Sequence, residues 1–378
     1  MLNNIIHILS ADIWGGKEAQ VLYQSLALRD RGYEISFLMF NESAVFKKFR
    51  AAGFDCIVVD ERQGFINLLW QSYCQLKPRK PQLFVCHGYK ETFVGLWLSL
   101  TLIVAFVSTF HGGLETFDGF SRTKMHCFHL LHRGISRLFA ARIVVVSQAL
   151  ASELGFFGLE KVEIVRNVVG ANALSDNEVF SAEGKTLSNK ALLKRPALIM
   201  VGRLVAIKRV GLAIRALGVL HNLGAGKWSA VQLYVVGDGP EREALENLAS
   251  DIGVEKSVHF LGFRTDILEL LGSADLLLLL SEKEGIPTVV LEAISQGLAV
   301  ISTELPGVRE VVNELGEYPV AFLQTEEPDD IAKAVAKCLE ISTSRDQSRE
   351  SGQEALKRHF SPIIAAKKLE AIFNEVLS

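Results

Sequence analysis

Short apolar runs rich in β-branched residues alternate with helical patterns along this chain, and the whole alternation occurs twice. Runs of this kind are buried on both faces, and helices between them serve as crossovers. The pattern therefore specifies parallel sheets with helices on both sides. In the first half the candidate strands are Ile5–Leu9, Glu34–Met39, Cys56–Val59, Leu83–Cys86, Ile103–Thr109, Ile143–Ser147 and Glu163–Val165, with crossover helices such as Lys17–Arg31 and Ser43–Ala52. A polar stretch from Gly170 to Lys194 has little periodicity and reads as a linker. The alternation restarts with Ala197–Val201, Gln232–Val236, Val258–Leu261, Asp275–Leu280, Val300–Thr303 and Val320–Leu323, and a last helix is expected over Pro362–Leu377. The 378 residues exceed one ordinary core. The expected architecture is α/β: two Rossmann-like, doubly wound parallel-sheet domains at 1–170 and 195–361, joined by a linker at 171–194. Ligands of such sheets sit at the carboxyl ends of the strands. Two facing sheets would make an interdomain cleft, which suits an enzyme that excludes water from an activated substrate.

Composition narrows the function classes. Hydrophobic residues make up 49% and charged residues 22%, a globular balance. A net charge of −3 argues against a general nucleic-acid binder, but residues 1–172 carry +4 and the remainder −7, so an anionic partner on the first half is expected. The five cysteines have no zinc or redox spacing and read as free buried thiols of a reducing cytoplasm. The first residues run straight into a strand pattern, without the basic region and cleavage site of a signal peptide. The uncharged stretch from Thr92 to Phe110 is long enough to span a bilayer. A helix over Glu91–Leu100 followed by a buried strand is the preferred reading, because a strand is due there.

The strand ends of the second half hold the richest chemistry. Strand Ala197–Val201 leads into Gly202 and then Arg203 and Lys208, two cations suited to a diphosphate or, alternatively, to plain solvation. Strand Gln232–Val236 leads into Gly237-Asp238-Gly239, a turn that permits close backbone approach to a ligand. Strand Asp275–Leu280 leads into Glu284-Gly285-Ile286-Pro287-Thr288, with Pro287 suited to the first turn of a helix whose free N–H groups can face a phosphate. Glu292, just over one turn further, can accept both hydroxyls of a ribose. In the first half, Gly15 and Gly16 precede a helix, and His111-Gly112-Gly113 follows a strand; His87 has a similar place and a weaker claim. A lone histidine at such a position is more often structural than functional. The chain has no Asp-x-Asp, no phosphate-binding P-loop and no Gly-x-Ser-x-Gly elbow.

Taken together, "VGRLVAIKRV", "VVGDGPEREALE", "VHFLGF" and "SEKEGIPTVVLEAISQG" occur in the order and spacing of the family 4 glycosyltransferases, and the chain resembles them over nearly its whole length. Glu284 and Glu292 form the Glu-x7-Glu element of that family, and "GGKE", "HGG" and the Asn167 region match its weaker landmarks, although Val168 stands where the family often has Gly. The resemblance implies the GT-B fold and retaining, metal-independent transfer from a nucleotide sugar, with no cofactor and a UDP-sugar favoured over a GDP-sugar. It implies Arg203 and Lys208 on the diphosphate, Glu292 on the ribose, and Glu284 with the backbone of Gly285 to Thr288 on the donor sugar and phosphate. His111 would contact a donor-sugar hydroxyl. It also implies acceptor binding on the N-terminal domain and a last helix that crosses back to it.

No carboxylate is placed as a covalent nucleophile, so same-face attack through an oxocarbenium-like state is expected, with charge on the departing diphosphate met by preorganised cations. A nucleotide-sugar epimerase and a non-catalytic nucleotide-sugar binder remain alternatives, and a dehydrogenase is disfavoured for want of a full Gly-x-Gly-x-x-Gly. From Gly119 to Ser152 there is no acidic residue, while Arg122, Lys124, Arg133, Arg137 and Arg142 accompany Phe128, Leu131, Ile135, Leu138 and Phe139 at helical spacing. A basic helix with an apolar stripe can rest on an anionic membrane. A cytoplasmic enzyme peripheral to the inner face of a bacterial membrane is expected, with a glycan or lipid-linked acceptor of polysaccharide or lipopolysaccharide synthesis.

Overall fold

The computed structural model describes residues 4–10, 14–112, 120–170, 173–174, 192–316, 318–341 and 345–378, without the side chains of 120–123 and 225. Most of the expected linker, together with Asp12, Ile13 and Gly113, lies outside the described residues. The chain divides into two compact units, residues 1–168 with 362–378, and residues 169–361.

The first unit holds a seven-stranded, wholly parallel sheet in the order β3-β2-β1-β4-β5-β6-β7. Its strands are β1 Asn4–Leu9, β2 Glu34–Met39, β3 Asp55–Val58, β4 Leu83–Cys86, β5 Ala105–Phe110, β6 Arg142–Val145 and β7 Val162–Ile164. The main crossover helices are α1 Gly16–Arg29, α2 Ala44–Ala51, α3 Phe65–Leu76, α4 Tyr89–Leu102, α5 Phe120–Phe139 and α6 Gln148–Glu153. Strand order reverses between β1 and β4, so the carboxyl ends of these two strands flank the crevice where ligands of such sheets bind. Two apolar clusters cover the two faces, and the last helix of the chain, Pro362–Leu377, adds Ala366, Leu369, Ile372 and Phe373 to one of them beside α1. Tyr33 meets that helix twice, with its ring edge-on to Phe373 and its hydroxyl 3.1 Å from Asn374 Oδ1.

The stretch from Thr92 to Phe110 is a helix and a strand, not a span. α4 stops at Ile103, which adopts the left-handed conformation at φ 57° and is 92% exposed, and Val104 N–H donates back to Ser99 O. The expected strand start at Ile103 is therefore two residues early: the helix needs that residue for its cap. Among the described residues no helix is long and apolar enough to cross a membrane. The thiol expectation also needs correction. All five cysteines are free, but Cys74 and Cys127 are exposed and only Cys86 is fully buried.

α5 departs from the expected stripe. Phe128 stacks on Tyr89 and Ile135 packs on the core, whereas Leu131, Leu138 and Phe139 are exposed. The inward face carries His132 and Ser136 instead. His132 stacks on Phe110 at 4.1 Å, its Nε2 lies 3.0 Å from Thr92 Oγ1 and 3.2 Å from Ser108 Oγ, and Ser136 Oγ donates to Ser108 Oγ. A satisfied buried polar network thus sets the rotation of α5 where apolar periodicity alone suggested another.

The second unit holds a six-stranded parallel sheet in the order β10-β9-β8-β11-β12-β13. The strands are β8 Ala197–Val201, β9 Gln232–Val236, β10 Val258–Gly262, β11 Leu276–Leu279, β12 Ala299–Ser302 and β13 Val320–Phe322. The crossover helices are α7 Val210–Asn222, α8 Arg242–Asp251, α9 Ile267–Ser273, α10 Thr288–Ser295, α11 Pro306–Leu315 and α12 Pro328–Glu340, followed by α13 Arg345–His359; α14 is the Pro362–Leu377 helix of the first unit. The order reverses between β8 and β11, so the turns after these strands flank a second crevice of the kind where ligands of such sheets bind.

Candidate active site

In the second unit the turns that leave β8, β9 and β11 are knitted by backbone hydrogen bonds. Gly202 N–H donates to Val236 O at 2.9 Å, Leu204 N–H to Asp238 O at 3.0 Å, and Glu282 N–H to Ile207 O at 2.9 Å. The turn after β9 must be glycine. Gly237 has φ 131°, and a Cβ there would stand 1.9 Å from Gly202 O. The turns that carry Arg203, Lys208, Gly237 and Glu284 are in this way joined into one platform. Arg203 is exposed on it.

Lys208 ends a short 3-10 turn, and its ammonium is ion-paired with Glu284. Ser281 Oγ donates to the same Glu284 oxygen at 2.9 Å. The pair is mostly shielded, with side-chain exposures of 26% and 16%. An ammonium has three donors, so Lys208 keeps capacity for a ligand oxygen while Glu284 holds it in place. The next residue, Arg209, reaches Glu282 at 3.0 Å and Glu326 at 2.5 Å and so ties the same turn to the ends of β11 and β13.

Gly285, Ile286 and Pro287 lead into α10. Pro287 is the residue before the helix, not part of its first turn: its ψ of 120° is extended, and the helix begins at Thr288 without a side-chain cap. Ile286 is 2% exposed and anchors the turn in the core, so only its backbone is available to a ligand. The turn is also held from outside. A Cβ on Gly307, in the first turn of α11, would stand 1.6 Å from Gly285 O, so α11 packs directly on this backbone. α10 is short and rich in β-branched residues; buried Val289, Val290, Leu291, Ala293 and Ile294 hold it by packing where intrinsic propensity would not. Glu292 is the acidic exception on this helix. The residue is half-buried, and burial of its carboxyl raises its pKa from 4.5 to about 7.

In the first unit the ends of β1, β4 and β5 meet. Gly15 is the extended N-cap of α1 and Gly16 its first residue, both exposed. Lys17 lies 3.4 Å from Glu18 and 3.9 Å from Glu91, and Glu91 accepts from Ser10 N–H at 2.9 Å, which ties the end of β1 to the start of α4. His111 directly follows β5 and is half-buried. Its Nε2 lies 2.9 Å from His87 Nδ1, and His87 Nε2 lies 2.9 Å from His7 Nδ1. Burial holds the rings neutral, with His7 and His111 brought down to about 3; the charge of Lys17 adds to the effect on His111. His7 was missed in the sequence. Its signal is a polar residue inside an apolar strand run, which in a sheet covered on both faces must be buried and must find a partner. Among the described residues no group of three or more His, Cys, Asp or Glu could hold a metal ion.

Comparison with known proteins accounts for both units. Residues 14–172 match the profile of "Glycosyltransferase Family 4", and residues 185–355 match that of "Glycosyl transferases group 1". The chain belongs to the family 4 glycosyltransferases. An uncharacterized glycosyltransferase of Haemophilus influenzae is 25% identical over 79% of this chain and 80% of its own length. The lipopolysaccharide core biosynthesis glycosyltransferase LpsE of Rhizobium meliloti is 29% identical over 48% of this chain and 52% of its own, so this chain spans about half of that relative. Among solved structures, HepE of Anabaena, crystallised with UDP, superposes with a TM-score of 0.77 at 18% identity, covering 98% of this chain and 100% of HepE. WaaG, described as a glycosyltransferase involved in lipopolysaccharide biosynthesis, superposes with a TM-score of 0.68 at 17% identity, covering 96% and 98%. These likenesses establish the GT-B fold for this family 4 glycosyltransferase.

Proposed function

We propose that this glycosyltransferase moves a hexosyl or hexosaminyl group from a UDP-sugar to a hydroxyl of a glycan or lipid-linked glycan, with retention and without a metal, in cell-surface polysaccharide or lipopolysaccharide synthesis. The observation that carries the reading is the Lys208–Glu284 pair beside a turn that ends in the start of α10. Arg203 and Lys208 meet the charge that builds on the departing diphosphate, and the first N–H groups of α10 add their dipole. Glu292 accepts the ribose hydroxyls. Glu284 and the Gly285–Thr288 backbone orient the sugar, as does the approach of Gly237. His111 contacts a sugar hydroxyl, and Gly15 and Gly16 let the backbone near α1 come close to phosphate. The acceptor hydroxyl attacks from the face the diphosphate leaves, through an oxocarbenium-like state, and its proton passes to the departing phosphate. Relatives named for lipopolysaccharide and undecaprenol-linked glycan synthesis support the acceptor class. The test is a screen of UDP- and GDP-sugars for hydrolysis and for protection against heat. Protection by UDP-sugars with slow release of UDP is expected; protection by no nucleotide sugar would refute the reading.

The acceptor reading includes attachment to an anionic membrane on the cytoplasmic side. It is supported by α5, where Leu131, Leu138 and Phe139 are 53%, 74% and 55% exposed beside exposed Lys124 and Arg137. Leu100 and Ile103 at the end of α4, which packs on α5, are exposed as well. Exposed apolar groups among cations fit the boundary between lipid headgroups and acyl chains.

A further inference from the structure

Helices α3, α4 and α5 form one layer over the sheet of the first unit. α3 packs on α4 and α4 on α5, and Leu68, Leu98 and Ile135 bring one helix each into the same apolar cluster. The outer side of this layer is not an ordinary solvated surface. On α3, Ile66 is 84% and Trp70 60% exposed, one helical turn apart, and Phe65 is exposed beside them. Trp70 stacks on Tyr73 at 5.9 Å, and Tyr73 meets Trp97 of α4 edge-on, also at 5.9 Å, so an aromatic row runs from α3 onto α4. The layer further exposes Leu100 and Ile103 at the end of α4, and Leu131, Leu138 and Phe139 on α5. An apolar face of this extent marks an interaction surface.

Charge selects the partner. The three helices hold one acidic residue between them, Glu91, and it is 3% exposed. Lys77 and Lys80, in the turn that ends α3, and Lys124 and Arg137, on α5, are all exposed. Cations without exposed carboxylates complement an anionic bilayer, and tryptophan and tyrosine rings settle at its headgroup level.

The distribution of apolar groups sets how such a face lies. A crossover helix runs back along its strands. Ile66 and Trp70, in the first half of α3, therefore lie toward the carboxyl ends of the sheet, whereas Leu100, Ile103, Leu138 and Phe139, at the ends of α4 and α5, lie toward the amino ends. Contact through the ends of α4 and α5 alone would tip the unit onto its amino-end edge and turn the crevice beside β1 and β4 away from lipid.

We propose that the whole α3–α4–α5 layer lies flat on an anionic bilayer, with Ile66 and Trp70 among the headgroups, so that the crevice at the carboxyl ends of β1 and β4 opens along the membrane surface. The proposal rests on the membrane reading above, to which it adds α3 as a second contact and the orientation that follows. A crevice held level with the headgroups meets the sugar of a lipid-linked acceptor without lifting the lipid from the bilayer.

The test uses the full chain with phosphatidylglycerol vesicles, with and without bromine on the acyl chains. Of the four tryptophans, only Trp70 is exposed. Brominated lipid should quench the tryptophan emission of the parent chain, and Trp70→Phe should lose most of that quenching while it still sediments with vesicles. Ile66→Ser together with Trp70→Ser should lower partition onto the vesicles about tenfold and melt as the parent does, because both side chains are exposed. A parent chain that sediments with vesicles, but whose quenching Trp70→Phe leaves unchanged, would overturn the flat orientation and leave attachment through α5 standing. A parent chain that does not sediment would end both. Sedimentation velocity without lipid shows whether a second copy covers the face instead: a monomer is expected, and a dimer that Ile66→Ser with Trp70→Ser separates would overturn the proposal. If the double variant does not fold, the quenching of the parent chain against Trp70→Phe decides.

Discussion

The Lys208 ammonium is ion-paired with the Glu284 carboxylate across the turns that leave β8 and β11, so the two groups assigned to the donor hold one another. Removing either one strands the other in a largely shielded place, and the double change is therefore milder for folding than either single change. Catalysis should not follow that rule. Lys208→Ala and Arg203→Ala are each expected to lower kcat by roughly 10²–10³, the scale for one preorganised contact to developing charge. Near-parental turnover in the double Arg203→Ala, Lys208→Ala variant would remove the assignment.

On the proposed assignment to the ribose, Glu292 links nucleotide binding to pH. Burial pushes its carboxyl up to about 7, and the ionised form accepts hydroxyls on both oxygens more strongly than the neutral acid, whose O–H is a donor. UDP affinity should rise between pH 6 and 8 and be about tenfold weaker at pH 6 than on the plateau. Folding runs the other way. A carboxyl whose pKa is raised by folding lowers stability as pH climbs from 4.5 to about 7, by on the order of 3 kcal/mol. Glu292→Gln should flatten the affinity profile and remove this loss of stability. Calorimetric titration at several pH values, with thermal melts alongside, checks both; a pH-independent Kd in the parent chain would contradict the first.

Gly307 packs directly on the turn that leads into α10. Any Cβ there collides with Gly285 O, so Gly307→Ala must shift either α11 or the backbone that leads into α10. A cost on the order of 1–3 kcal/mol is expected from overpacking, together with a fall in kcat larger than the lost stability explains. Parental melting and turnover in this variant would show that α11 does not hold the turn.

Much of this was readable in the sequence, for a physical reason. In a sheet covered on both faces each strand is a continuous apolar run, so Gln232–Val236 and Leu83–Cys86 announce themselves, and the polar residues that follow them are the strand ends. The spacing of Glu284 and Glu292 is local and survives without the fold. What was not readable depends on neighbours far apart in the chain. The contact of Gly307 with Gly285 needs the packing of α11, and the imidazole chain needs β1, β4 and β5 side by side. That Phe128 and Ile135 turn inward while Leu131, Leu138 and Phe139 stay exposed follows from His132 and Ser136, which find partners on α4 and β5 that no helical period reveals.

On the proposed assignment, two cations and a helix start meet the charge on the diphosphate, so transfer should survive EDTA. The measurement is UDP release from the productive donor with and without chelator. Loss of activity that Mg²⁺ or Mn²⁺ restores would refute metal independence.

The membrane reading separates cleanly from folding. Leu131, Leu138 and Phe139 are exposed, so Leu138→Ser and Phe139→Ser together should change stability by no more than about 1 kcal/mol. Attachment to a bilayer draws on those apolar groups and on cations such as Lys124 and Arg137, each worth about 1 kcal/mol near an anionic surface. The parent chain should therefore sediment with vesicles rich in anionic lipid, less so at high salt, and weakly with neutral ones. The Leu138→Ser, Phe139→Ser chain should stay in the supernatant while it still binds UDP as the parent does. Salt acts on the cations and the two substitutions act on the apolar contact, so the two effects should add. Equal failure of the parent chain to bind either vesicle, with full activity on a free soluble sugar, would end the membrane reading and leave α5 as an ordinary solvated helix.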